Sequence, residues 1–141
     1  YAYYEQDLES RTFGVVVDTS GSMSAKQIGM ALGSIASYAA AKDVPFVRII
    51  FCDAKATDAG YLAPEDIAGR VKVTGRGGTI LQPGVDCLEQ ANDFPKDGPI
   101  LIITDGEIEN DLKVRREHAF LLPRGNRLPF RARGEVFYFR E

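Results

Sequence analysis

Thr12-Phe-Gly-Val-Val-Val-Asp18 is a short apolar, β-branched run with no polar alternation. Such a run fits a strand covered on both faces, as in a parallel sheet flanked by helices. It ends on an aspartate. The residues that follow, 24–41, carry Ile28, Leu32, Ile35 and Ala39 at three- and four-residue spacing behind a Ser N-cap, which predicts an amphipathic helix. Gly29 and Gly33, four apart, are expected to let that helix lie close on the sheet.

Working outward, residues 45–52 (Pro-Phe-Val-Arg-Ile-Ile-Phe-Cys) predict a second buried strand and 56–62 a weaker edge strand. A helical turn at 64–68, an extended piece at 71–73 and a glycine-rich loop at 75–78 come next. Residues 83–91 predict a helix with Pro83 in its first turn and Val85, Leu88 and Ala91 on one face. Pro99-Ile-Leu-Ile-Ile-Thr104 is the clearest buried strand, and it too runs into an aspartate, Asp105. Strands at 118–122 and 136–139 bracket an Arg-, Pro- and Gly-rich loop, 123–134. Strands alternating with helices indicate an α/β sheet with right-handed crossovers. Residues 1–11 read as a lead-in or linker and 12–141 as the folded domain. A chain that opens at Tyr1 is expected to be a domain excised from a longer protein.

The composition agrees. With 141 residues, 45% hydrophobic and 26% charged, the chain matches a soluble, cytoplasmic globular domain. Seventeen Lys and Arg against twenty Asp and Glu leave a net charge of −3, so no global basic field points to nucleic acid or an acidic membrane. The longest strictly aliphatic run, 100–103, is far short of the ~20 residues that span a bilayer, and no signal segment is present. Cys52 and Cys87 are too few for a disulfide framework and are expected to be buried thiols.

In open α/β sheets, ligands bind beyond the carboxyl ends of the strands. Asp18-Thr-Ser20-Gly-Ser22 places a carboxylate and two hydroxyls in one turn there, Thr79 adds a third hydroxyl behind Gly77 and Gly78, and Asp105 adds a second carboxylate. Asp18, Ser20, Ser22, Thr79 and Asp105 are hard oxygen ligands without thiolate or imidazole. They suit Mg²⁺ first, then Mn²⁺, with Ca²⁺ last, and not zinc. Five protein groups, some acting through water, leave a position of an octahedral ion open. A carboxylate from a partner protein is its natural occupant.

At these residues the sequence resembles the von Willebrand factor A (VWA) family and its metal-ion-dependent adhesion site (MIDAS), whose pattern of Asp-x-Ser-x-Ser, a distant Thr and a later strand-end Asp is filled by Asp18, Ser20, Ser22, Thr79 and Asp105. The resemblance runs from about Phe13 to Asp105. It implies a doubly wound, mostly parallel, Rossmann-like sheet flanked by helices, with the site at its carboxyl edge, and protein binding through the metal without catalysis. Arg115-Arg-Glu-His-Ala-Phe-Leu-Leu-Pro-Arg-Gly125 and Leu128-Pro-Phe-Arg-Ala-Arg-Gly-Glu-Val-Phe-Tyr-Phe139 are similar to a bacterial family in which a VWA-like domain ends a protein with a zinc-metallopeptidase-like upstream half. That resemblance implies an upstream domain of the same chain as a partner, and an accessory or substrate-presenting role as the alternative function. With one histidine, the chain holds no His-Glu-x-x-His motif itself. The segment after Asp105 is shorter and more basic than the tails of adhesion-type members, so their tail-helix movement does not carry over.

The competing readings are weaker. Asp18-Thr-Ser-Gly-Ser alone could be a helix cap; its joint occurrence with Thr79 and Asp105 favours the metal. Gly75-Arg-Gly-Gly-Thr79 lacks the P-loop spacing. An aspartate-nucleophile phosphotransferase would need an acid at position 20. Mg²⁺-dependent hydrolysis, or a Ser22, Asp105, His118 triad, is the enzymatic alternative, but the Gly-x-Ser-x-Gly elbow is missing. Asp53, Asp58, Glu107 and Glu109 are expected at the surface. Residues 113–133 hold seven basic side chains and one acid, a bias that suits an acidic partner or nucleic acid but reads first as a solvated loop, and Phe137-Tyr-Phe139 reads as core or sheet edge.

Overall fold

The computed structural model describes residues 12–19, 24–52, 56–67 and 80–139; the expected lead-in, the piece at 71–73 and the loop at 75–78 lie outside them. The chain order is β1 (Gly14–Asp18), α1 (Ala25–Ala41), β2 (Val47–Cys52), β3 (Ala56–Leu62), α2 (Pro64–Ile67), α3 (Gln82–Gln90), β4 (Ile100–Ile103), β5 (His118–Pro123) and β6 (Glu135–Phe139). They form one sheet in the order β3-β2-β1-β4-β5-β6. Every neighbouring pair is parallel except β2 and β3. The winding therefore reverses between β1 and β4, which is where such sheets bind ligands.

Complete burial of β1 and β2 explains why they are apolar apart from Asp18 and Arg48. Val15, Val17, Ile49 and Phe51 face one core with Ile28, Leu32 and Ile35 of α1. Val16, Ile50, Ile100 and Ile102 face a second core with Val85 and Leu88 of α3. Ser24 caps α1 reciprocally: its Oγ accepts from Gln27 N at 3.1 Å, while its own N–H donates to Gln27 Oε1 at 3.1 Å.

The close contact expected at Gly33 of α1 is made instead at Gly84 of α3. A Cβ on Gly33 would meet nothing within 4 Å, whereas one on Gly84 would lie 2.9 Å from Val16 Cγ1. The expectation for Gly33 fails because that residue lies off the α1 face formed by Ile28, Leu32 and Ile35.

Asp58 is exposed, as expected, but it is also held in an ion pair. Arg48, the second residue of β2 and 6% exposed, binds both Asp58 carboxylate oxygens, and its Nη1 lies 2.7 Å from Asp93 Oδ1, a charge contact without hydrogen-bond alignment. The guanidinium also sits 5.0 Å from the Tyr61 ring centroid. A register shift in the β2–β3 ladder lies beside this pair. The Arg48 hydrogen bond holds Asp58 below the usual carboxylate range, with burial opposing it.

Beyond β4, the connections 104–117 and 124–134 contain no helix. Their side chains Ile108, Leu112, Val114, Leu128, Phe130 and Ala132 cover the second core instead. On the opposite face an open groove remains beside α1, lined by Ile35, Tyr38, Leu101, Ala119 and Phe137. β6 is the sheet edge, as expected, but Phe137 and Tyr138 are about half exposed while Phe139 is buried. Cys52 is buried and Cys87 only half-buried; neither forms a disulfide. Among the described residues no helix is long and apolar enough to cross a membrane.

Candidate functional site at the carboxyl edge of the sheet

Asp18 is the last residue of β1 and fully buried. Val17 stands opposite Ile103 in the parallel β1–β4 ladder, so the chain leaves both strands side by side. Thr104 and Asp105 therefore emerge next to Asp18. Thr104 Oγ1 donates to Asp18 Oδ2 at 2.9 Å and accepts the Gly106 N–H at 3.1 Å. One hydroxyl thus fixes a carboxylate from one strand and the turn leaving the other.

Asp105 is 5% exposed. Its Oδ1 accepts the Glu107 N–H at 3.0 Å; among the described residues its Oδ2 makes no hydrogen bond, and the ion pairs there involve Arg48 alone. A nearly buried carboxylate without a counter-charge among the described residues is costly, and a hard cation is the kind of ligand that Asp105 accommodates. The donor chemistry fits Mg²⁺ or Mn²⁺.

Other elements converge on the same edge. Thr19 N donates to the Cys52 carbonyl at the end of β2 (2.9 Å). Cys52 Sγ donates to the Ile80 carbonyl at 3.1 Å, fixing the residue directly after Thr79. Leu81 N and Gln82 N both donate to the Glu109 carboxylate at 2.9 Å. Glu109 therefore supplies the N-terminal cap that Leu81 cannot, and favours the positive end of α3. It is a structural cap, where the sequence suggested a surface acid. Of the five candidate ligands, the structure places Asp18 at the end of β1 and Asp105 just beyond the end of the neighbouring β4; Ser20, Ser22 and Thr79 lie outside the described residues, as does Asp53.

Two contributors went unread in the sequence. Thr104 carries a signal, being the hydroxyl immediately before a strand-end aspartate. Asn126, whose Nδ2 donates to the Asp105 carbonyl at 2.9 Å, carries none. His118 stands apart. It opens β5, opposite Ile100 at the start of β4, with its Nδ1 2.8 Å from the Arg116 carbonyl. Asp105 lies beyond the other end of β4, about 16 Å away at strand rise. An Asp105–His118 catalytic pair is excluded by that separation.

Residues 13–116 match the family model of the VWA-like domain (DUF2201). The chain belongs to that family. The VWA-like domain also resembles solved structures. One is an aerotolerance-related membrane protein from Bacteroides fragilis with multiple mutations to serines (TM-score 0.57, 16% identity, 84% of this chain and 71% of that one). A second is proximal thread matrix protein 1 from the mussel byssus (0.64, 16%, 90% and 40%). A third is the ArnB paralog VWA2 from Sulfolobus acidocaldarius (0.54, 19%, 79% and 34%). At these identities the likeness is one of fold. The VWA-like domain spans less than half the length of the second and third chains. No curated protein matches it significantly.

Proposed function

We propose that this VWA-like domain is a divalent-metal-dependent protein-binding module with a MIDAS. Asp18, Ser20, Ser22, Thr79 and Asp105 would hold Mg²⁺, or Mn²⁺ in its place, and the bound ion supplies positive charge to hold a carboxylate of a partner protein. The observation that carries this reading is the pair of buried strand-end carboxylates, Asp18 and Asp105, on adjacent parallel strands at the reversal of the winding. Membership of a VWA-like family, whose members are generally non-catalytic interaction modules, supports it. So does the anchoring of Ile80 and Leu81 to the ends of β2 and of the β4 loop, since Thr79 directly precedes them.

The chain's own groups prepare the site. Thr104 aims Asp18 through a hydrogen bond, the Glu107 N–H fixes one oxygen of Asp105, and Asn126 ties the Asp105 backbone to the loop after β5. Calorimetric titration of Mg²⁺ and Mn²⁺ into chelator-treated protein tests the reading. Saturable binding in the wild type, lost in both Asp18→Ala and Asp105→Ala with their folds retained, is the expected result. Unchanged ion affinity in either folded variant would refute the assignment.

A further inference from the structure

The loop between β5 and β6 leaves the carboxyl edge beside Asp105 and returns across the second core to the amino edge. At its start Asn126 binds the Asp105 carbonyl, and the Arg127 carbonyl lies 1.9 Å from where a Cβ on Gly106 would be. At its end Gly134 packs equally closely, with the His118 carbonyl 2.2 Å from such a position. Between them, exposure alternates. Leu128, Phe130 and Ala132 turn inward onto the core, with Phe130 edge-on to Phe120 at 5.7 Å, while Arg127, Arg131 and Arg133 are exposed. Arg124, just before the loop's contact with Asp105, is exposed as well.

This pattern makes a strip of cations on a segment held by apolar anchors. None of the four arginines forms an ion pair among the described residues. Arg116 differs: its guanidinium donates to the Pro95 and Gly98 carbonyls and stacks near Phe94, so it serves the fold. Arg127 to Arg133 span at most about 20 Å, the length of six extended residues. The strip begins at the candidate metal site.

We infer that Arg124, Arg127, Arg131 and Arg133 form a docking strip for an extended acidic segment of a partner protein, continuous with the candidate metal site. The inference rests on the metal-dependent reading for its first contact, and on the arginines alone for the rest. Contiguity with a carboxylate-binding site favours an acidic peptide over a nucleic acid.

Fluorescence anisotropy with labelled octaglutamate, in excess Mg²⁺ and in chelator, tests it. The triple variant Arg127→Glu/Arg131→Glu/Arg133→Glu should weaken binding about tenfold or more in both conditions, with a smaller loss for the matching Gln variant and weaker binding as salt rises. Thermal melts should match the wild type, because these side chains are exposed. Asp105→Ala should remove only the Mg²⁺-dependent part. The strip is overturned by three results: no saturable peptide binding to the wild type, affinity of the triple variant within twofold of the wild type, or equally tight binding of an oligothymidylate of the same charge. Arginine dependence without any Mg²⁺ effect would leave the strip standing and remove the metal reading; Mg²⁺ dependence without arginine dependence would do the reverse.

Discussion

Replacing Thr104 by Val tests the hydroxyl that joins the two strand ends. The change conserves shape at a fully buried position and deletes both the bond to Asp18 Oδ2 and the acceptor for Gly106 N–H. A hydrogen bond to a charged group contributes roughly 1.5–3 kcal/mol, and a buried N–H left unpaired costs roughly 1–3 kcal/mol. The added methyl returns about 0.8 kcal/mol, so the net destabilisation is about 3 kcal/mol. Thr104→Ser keeps the hydroxyl and loses only a methyl, about 1 kcal/mol. Urea unfolding followed by circular dichroism measures both in metal-free buffer. The expected order is wild type, Ser, then Val, with unchanged m-values. A Val variant as stable as the Ser variant would show that the hydroxyl does not bridge the strands.

Two further outcomes follow from the geometry. Gly106→Ala places a Cβ on a residue at φ +95° and 1.9 Å from the Arg127 carbonyl, so the loop must shift; a loss of about 3 kcal/mol, read as a melting temperature lower by roughly 10 °C, is expected, and an unchanged melt would contradict the close packing. Because the hydrogen bond from Arg48 lowers the Asp58 pKa below its ordinary 3.8, Asp58 contributes stability that is complete above that ordinary value and lost as pH falls through the lower native one. Asp58→Asn should therefore destabilise the protein at pH 7 and flatten the acid limb of its stability profile below about pH 4, and an unaltered limb would count against the pairing.

Where one face or one stripe of residues determined an element, the sequence was a good guide. β1, β2, β4 and α1 were read close to their observed bounds because two cores cover the sheet and Ser24 caps the helix. The placement of Asp18 and Asp105 at the carboxyl edge was legible because Asp18 directly follows an apolar run and Asp105 follows one after a single threonine. Partners far away in sequence were not. Arg48 was read only as part of a buried strand, with nothing local to show that Asp58 and Asp93 surround it, and Glu109 looked like a surface acid until the α3 N-terminus met it 27 residues back. The close approach assigned to Gly33 belongs to Gly84, which a helix pattern alone does not distinguish. Arginines alternating with Leu128, Phe130 and Ala132 were visible as composition, but their single outward face required the core beneath them.

Asp18 and Thr104 meet although 86 residues separate them. Bringing such distant positions together carries a loop-closure entropy that grows only logarithmically with length, and the central β1–β4 ladder has already met it. A ligand gripping both strand ends therefore finds no site in the unfolded chain. Its binding adds RT ln(1 + [L]/Kd) to the stability of the whole sheet rather than to one loop, about 2.7 kcal/mol at a hundredfold excess over Kd. A melting curve can thus report occupancy at the carboxyl edge, and anything that parts β1 from β4 releases the ligand in the same step.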